Sequence, residues 1–267
     1  MKLREIFNRS RAACVGIAIQ VPTSTGVRFV CFGSGVNVHP SGAVVTAKHV
    51  ITSYFDDIKK EKADFSKPVN LDIYVLSSFQ ADREWRMWAT KPVGIALLEK
   101  VDVAVLKIAP KPDGWPAFDF KGDLDVCEGD DIATVGYPLR SYSDTNAFPN
   151  LFAGTVSQVE KSYDDKQKKW VCEKITMDMS IHPGNSGGPV FNAETGMLIG
   201  IVEAQKLRAS KIVEQIACVA ESVKGGDKDV PQVWTNISYC IPVSKFRREV
   251  QAVIAMPPST PVAAPIQ

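Results

Sequence analysis

The block His182-Pro183-Gly184-Asn185-Ser186-Gly187-Gly188-Pro189 is the strongest chemical signal in the chain. A serine hydroxyl is a weak nucleophile, and its attack on an amide carbonyl leaves negative charge on the carbonyl oxygen. Glycines on both sides of Ser186 allow a tight turn whose backbone N–H groups converge on one point, which suits such an oxygen. The same residues also suit a plain glycine-rich turn between strands, so the block by itself leaves both readings open.

Two further features strengthen the chemical reading. In Val44-Val45-Thr46-Ala47-Lys48-His49-Val50, a histidine follows directly on an apolar strand. Neutral imidazole titrates near neutral pH and is the base a nucleophilic serine requires. In Glu99-Lys100-Val101-Asp102-Val103-Ala104-Val105-Leu106-Lys107-Ile108, an acid opens a strongly apolar strand. Burying that carboxylate alone is expensive, whereas accepting the second N–H of His49 satisfies it and fixes the tautomer. The plain alternatives are a core or surface histidine and a strand-edge aspartate. Asp56, Asp57 and Asp72 compete with Asp102; the first two stand too near His49 in a polar loop, and Asp102 is preferred. His39 lies in a turn, and His182 reads as lining a substrate cleft rather than as the base.

The elements that must position these residues are short β-branched runs broken by Gly, Pro, Asn and Asp. Strands are expected at 13–20, 27–32, 35–38, 43–47, 71–76, 93–99, 104–108, 132–135, 152–159, 170–178, 189–191, 197–203 and 238–242. Such a succession, with little helical periodicity between, favours an antiparallel barrel or sandwich over a parallel sheet. Residues 164–169 read as a charged hairpin tip and 192–196 as a second hairpin turn. Helices are expected at 4–11, at 211–223 and at 243–254, where Val243, Phe246, Val250 and Val253 share one face. The division expected is an N-terminal segment 1–12, one domain 13–255 made of halves 13–115 and 116–255, and a Pro-rich tail 256–267.

Composition narrows the function. The 267 residues are 45% hydrophobic and 23% charged, enough apolar material for a core and too much for wholesale disorder. A formal net charge of +1 lacks the basic excess of a protein that lives by phosphate contacts, so nucleic acid is not an expected partner. The longest apolar run, 12–19, is far short of a membrane helix, so no membrane partner is expected either. Residues 1–11 are basic but interrupted by Glu5, and no small-residue cleavage site follows. Cys14, Cys31, Cys127, Cys172, Cys218 and Cys240 are scattered without metal-ligand spacing and read as free, mostly buried thiols. The expected compartment is the cytoplasm.

Together the three segments resemble the trypsin-like, chymotrypsin-fold serine peptidases, and among them the HtrA/DegP-type bacterial branch. The resemblance runs over 13–250 and rests on Gly33-Ser34-Gly35-Val36, Thr46-Ala47-Lys48-His49, Asp102-Val103-Ala104-Val105-Leu106-Lys107, Gly136-Tyr137-Pro138, Gly154-Thr155-Val156 and the serine block. It continues in Ile199-Gly200-Ile201 and Tyr239-Cys240-Ile241-Pro242. It implies an all-β fold of two packed six-stranded antiparallel barrels with a C-terminal helix. It also implies a polypeptide substrate, Ser186 as nucleophile, His49 as general base and then acid, and Asp102 as its orienting carboxylate. The backbone N–H groups of Gly184 and Ser186 would form the oxyanion hole. No metal or organic cofactor is implied.

By the same resemblance Ser180 lies at the base of the specificity pocket, Ile237 in a wall, and Glu203, Ala204 and Gln205 along the edge that pairs with substrate. Without a carboxylate at that base, a small or medium aliphatic residue is expected before the scissile bond. Core packing is an equal alternative for Ser180 and Ile237. Glu203 stands where the family has a small polar residue, and either points away from Asp102 or perturbs it.

Other departures are informative. Asn185 replaces the aspartate that receives a new N-terminal ammonium in secreted members, so activation by N-terminal processing is not expected. The flanking cysteines of those members are absent, and no PDZ domain is expected after the last helix. Residues 206–232 either gate the pocket, bind a protein partner, or form an inert insertion. The leading reading is a serine endopeptidase; the alternatives are a catalytically silent scaffold on the same fold, supported by Glu203 and Gln205, and an esterase.

Overall fold

The computed structural model describes residues 2–24, 26–59, 72–81, 84–118, 125–138, 148–203 and 237–256. Two antiparallel β units dominate it. The first unit contains β1 (Cys14–Thr23), β2 (Gly26–His39), β3 (Ala43–Ala47), β4 (Ile73–Ala81), β5 (Glu84–Thr90), β6 (Pro92–Leu97) and β7 (Val103–Ile108). Its strand order is β5-β4-β1-β2-β3-β7-β6. The second unit is a closed six-stranded barrel, β10-β13-β12-β11-β8-β9. Its strands are β8 (Asp131–Gly136), β9 (Asn150–Asp164), β10 (Lys169–Asp178), β11 (Pro189–Asn192), β12 (Leu198–Glu203) and β13 (Ile237–Pro242).

The expected all-β architecture of two antiparallel units is present, and among the described residues the first unit is a seven-stranded sheet. The additional strand is β5, Glu-Trp-Arg-Met-Trp-Ala-Thr, which lies on the sheet edge. Trp85 and Met87 are half-buried while Glu84, Arg86 and Trp88 face solvent, so its apolar residues do not form the run that marks an interior strand. The two runs expected at 27–32 and 35–38 are one continuous strand, β2, carried through Gly33-Ser34-Gly35.

Three apolar clusters explain why the strands read as they do. One fills the first unit, with Val15, Ile17, Val44, Ala104 and Leu106. Another fills the barrel, with Ile132, Val156, Ile175, Met177 and Val190. The third lies between the units and joins Cys14, Val36, Val45 and Val105 to Val135, Phe191, Ile201 and Ile241. Thus β3 and β7 bury both faces, Val44 and Leu106 inward and Val45 and Val105 toward the barrel. Each fully buried Val or Leu contributes about 1.5–3 kcal/mol, so these two strands form a rigid base for whatever follows them. His49 follows β3 and Asp102 precedes β7.

Helix α1 (Leu3–Ser10) packs Ile6 into the inter-unit cluster, and Ser10 Oγ donates to the Ile6 carbonyl at 2.7 Å. Helix α2 (Lys48–Ser53) runs into a π turn at Tyr54–Lys59. The expected C-terminal helix opens as a 3-10 turn, Val243–Lys245, and becomes α3 (Arg247–Ala255) after a non-helical break at Phe246 (φ −133°, ψ −8°). Phe246, Val250 and Val253 are buried on the inter-unit cluster, and Lys107 Nζ donates to the Met256 carbonyl at 2.7 Å. The helix expected at 211–223 and the tail beyond Met256 lie outside the described residues. Among the described residues, no helix is long and apolar enough to cross a membrane. Cys14, Cys31, Cys127, Cys172 and Cys240 are free thiols.

Candidate active site

His49 is the second residue of α2, immediately after β3. Asp102 sits in the turn between β6 and β7, and because β3 and β7 are paired (Ala47 opposite Val103), the turn lies beside α2. The contact is bidentate: His49 Nδ1 meets Asp102 Oδ2 at 2.5 Å, and the His49 backbone N–H donates to Asp102 Oδ1 at 2.8 Å. Lys48 N also donates to the Asp102 carbonyl at 3.1 Å, and Lys48 Nζ reaches the Leu98 carbonyl at 2.8 Å. An ionised carboxylate only accepts, so Nδ1 carries hydrogen and Nε2 is the nitrogen left with a lone pair in the neutral ring.

Burial pushes the Asp102 carboxyl up, but the His49 ring bond, the His49 charge, the His49 backbone N–H and Lys48 outweigh it and hold it below the ordinary aspartate range. Both side chains keep some exposure, 32% for His49 and 27% for Asp102. Of the competing acids, Asp72 pairs with Lys91 at 3.4 Å and Asp56 is exposed. The Asp57 side chain lies outside the description.

The serine block folds as two successive turns. Asn185 N donates to the His182 carbonyl at 3.0 Å, closing a turn with Pro183 and Gly184 at its centre; Gly184 has φ +92°. Gly188 N donates to the Asn185 carbonyl at 2.9 Å, closing a second turn around Ser186 and Gly187, with Gly187 at φ +82°. A negative φ followed by a positive one defines type II, which calls for glycine at the third position. The turns use the amides of Asn185, Gly187 and Gly188, Gly187 donating to Val202 at 2.8 Å. Among the described residues, the amides of Gly184 and Ser186 donate to nothing. Idle amide donors at a mostly buried turn are rare and mark a place for an acceptor.

The block is pressed onto the first unit. A Cβ on Gly187 would lie 2.3 Å from Thr46 Oγ1, 2.4 Å from the Ser34 carbonyl and 2.6 Å from Ala47 N. Ser186 therefore stands beside the end of β3, which leads into the helix that carries His49. Ser186 is half-buried, and its hydroxyl makes no hydrogen bond among the described residues. Bonds of this kind are often long without substrate and tighten only when it binds.

Of the remaining expected residues, Ser180, His182, Glu203 and Ile237 are described and lie at the end of the barrel where β10 and β12 finish and β11 and β13 begin. Ser180 is exposed two residues beyond β10, and Ile237, 49% exposed, opens β13 opposite Asp178. Neither side chain is buried in a core cluster. His182 is exposed with its ring 5.6 Å from that of Phe152. The Glu203 carboxylate lies 3.9 Å from Lys174 Nζ, and Lys174 sits 3.6 Å over the Tyr239 ring. Glu203 thus faces the barrel exterior and has no share in the Asp102 shift. Ala204, Gln205 and 206–232 lie outside the described residues. Sequence reasoning assigned no role to Ser34 or Thr46, both fully buried against the serine block; the only sign was the Gly-Ser-Gly spacing.

Comparison with known proteins places the chain in a family. A family model described as a trypsin-like peptidase domain matches residues 33–201, a span containing His49, Asp102 and Ser186. A probable periplasmic serine endoprotease, DegP-like, of Rickettsia conorii is 28% identical over 165 residues, 62% of this chain and 27% of that protein. A serine protease, HtrA-like, of Staphylococcus aureus is 24% identical over 229 residues, 81% of this chain and 27% of its own length. A serine protease, Do-like HtrA, of Lactococcus lactis is 33% identical over 107 residues, 40% of this chain and 26% of that protein. The chain spans about a quarter of the length of these relatives. The Rickettsia protein is named as periplasmic, which lends no support to the cytoplasmic expectation. With well over half its length matched by the family model, the chain belongs to the trypsin-like peptidase family.

Proposed function

We propose that the chain is a serine endopeptidase acting through an acyl-enzyme. The Ser186 hydroxyl attacks the scissile carbonyl carbon as its proton passes to His49 Nε2. The new imidazolium is stabilised by Asp102 through Nδ1–H. The displaced π electrons settle on the carbonyl oxygen, which the amides of Gly184 and Ser186 receive. Collapse breaks the C–N bond, and His49 returns the proton to the leaving amine. Water, deprotonated by His49, then attacks the ester, and Ser186 recovers its proton as the acid departs.

The observation that supports this most is the pair of idle amides flanking Asn185 in the serine block. A polypeptide is the substrate class. With Ser180 and Ile237 at the cleft end and the Glu203 carboxylate taken by Lys174, we assign a preference for small or medium aliphatic residues before the scissile bond. The scaffold reading drew on Glu203 and Gln205; Glu203 pairs with Lys174 on the barrel exterior, and Gln205 lies outside the described residues. A fluorophosphonate probe tests the reading. It should label Ser186, mapped by mass spectrometry, and Ser186→Ala should abolish labelling; a folded wild-type chain that stays unlabelled would contradict it.

A further inference from the structure

We propose that Ser34 is a positioning residue that holds the oxyanion turn in its working shape, a role that rests on the peptidase reading above. Ser34 lies on β2 of the first unit, is fully buried, and has its N–H, hydroxyl and carbonyl all hydrogen-bonded. Its N–H donates to the Ser186 carbonyl at 2.9 Å, and its Oγ donates to the Gly184 carbonyl at 2.6 Å. The same Oγ accepts from Tyr137 N at 2.8 Å, and its carbonyl accepts from Thr46 Oγ1 at 2.6 Å. The carbonyls it grips belong to the two residues whose amides are idle.

The arrangement bears on catalysis through the peptide planes. The Ser186 amide lies in the Asn185–Ser186 plane, and Ser34 pins the planes on either side of it, Gly184–Asn185 and Ser186–Gly187. The Gly184 amide lies in the central plane of a type II turn. The closing hydrogen bond of a turn tolerates that plane facing either way, since types I and II share it. The direction of the Gly184 amide therefore needs an outside anchor, and the bond from Ser34 Oγ to the Gly184 carbonyl supplies one on its C-terminal side. Asn185 supplies no such anchor; it is fully buried, yet its Oδ1 and Nδ2 have no partner among the described residues. Through Thr46, three residues before His49, Ser34 also ties the turn to the strand that leads into the helix carrying the base.

The site leaves no room for a substitute. Ser34 Cβ is 3.2 Å from where a Cβ on Gly188 would stand, and its Oγ is 3.1 Å from the corresponding point on Gly136. Ser34→Ala would strand the Gly184 carbonyl and the Tyr137 amide around a gap smaller than a water molecule needs.

The test is the kinetics of fluorophosphonate labelling of the full chain, with folding checked by circular dichroism. In Ser34→Ala the maximal labelling rate should fall by about 10²-fold, with the half-saturating probe concentration within about threefold of wild type, the signature of donors lost only in the transition state. Folded Ser34→Ala labelling at the wild-type maximal rate, or losing only probe affinity, would overturn the proposal. If that variant does not fold, the near-isosteric Thr46→Val removes one bond to Ser34 and should lower the maximal rate about fivefold; an unchanged rate would overturn the proposal equally. A folded but unlabelled wild type would overturn the peptidase reading itself, whereas labelled wild type beside an unaffected Ser34→Ala removes only the role of Ser34.

Discussion

Gly187 lies flat against Thr46: a methyl group added at its Cα would stand 2.3 Å from the Thr46 hydroxyl oxygen. The turn that carries Ser186 and the strand that leads to His49 can approach so closely only because one residue has no side chain. Gly187→Ala should therefore do two kinds of damage. Its φ of +82° costs an L-residue about 1–3 kcal/mol, and the contacts with Thr46, Ser34 and Ala47 must open. We expect urea unfolding to show a loss of more than about 2 kcal/mol, and peptide hydrolysis to fall at least about 10²-fold because Ser186 moves away from His49.

Asp102 does two things for His49, holding Nδ1–H and the backbone N–H. Asp102→Asn keeps the shape but offers an amide N–H where an acceptor is required, turning the ring to the wrong tautomer. Turnover should fall on the order of 10⁴-fold. Stability carries a pH signature as well. The folded carboxyl is held below its ordinary value of 3.8, so its contribution is complete above that value and is lost as pH falls through the lower folded one. Urea midpoints should show the gap between wild type and Asp102→Asn narrowing as pH falls below about 4. A gap that stayed unchanged through that fall would contradict the pairing.

Asn185 is buried with neither amide atom satisfied among the described residues. Asn185→Asp would place a carboxylate where no described cation waits, and should destabilise the chain by about 3–5 kcal/mol, read by chemical denaturation. Mass spectrometry of active wild-type protein should likewise find no N-terminus created by an internal activating cut.

Much of the fold, and the elements that carry the candidate site residues, were legible in the sequence because those strands and turns are fixed by chain-local chemistry. Val44-Val45 and Val105-Leu106 read as continuous apolar strands since both faces are covered, and His49 and Asp102 mark their ends. Gly184 and Gly187 announced turns, and both have positive φ. What escaped was set by partners distant in sequence. Glu84–Thr90 is an edge strand, half solvent-facing, and lacks an apolar run. Lys48–Ser53 is too short a helix to show a periodicity. The direction of Glu203 depends on Lys174, 29 positions away, and the role of Ser34 on Gly184, 150 positions away.

Amide hydrolysis itself is the most direct measurement of the proposed chemistry. Wild-type chain and Ser186→Ala should be incubated with a peptide library and the products sequenced. We predict cleavage by the wild type, concentrated after small or medium aliphatic residues, and none by Ser186→Ala. Cleavage that persists in Ser186→Ala, or a folded wild type that cuts nothing in the library, would contradict the assignment of Ser186 as the nucleophile of a peptidase.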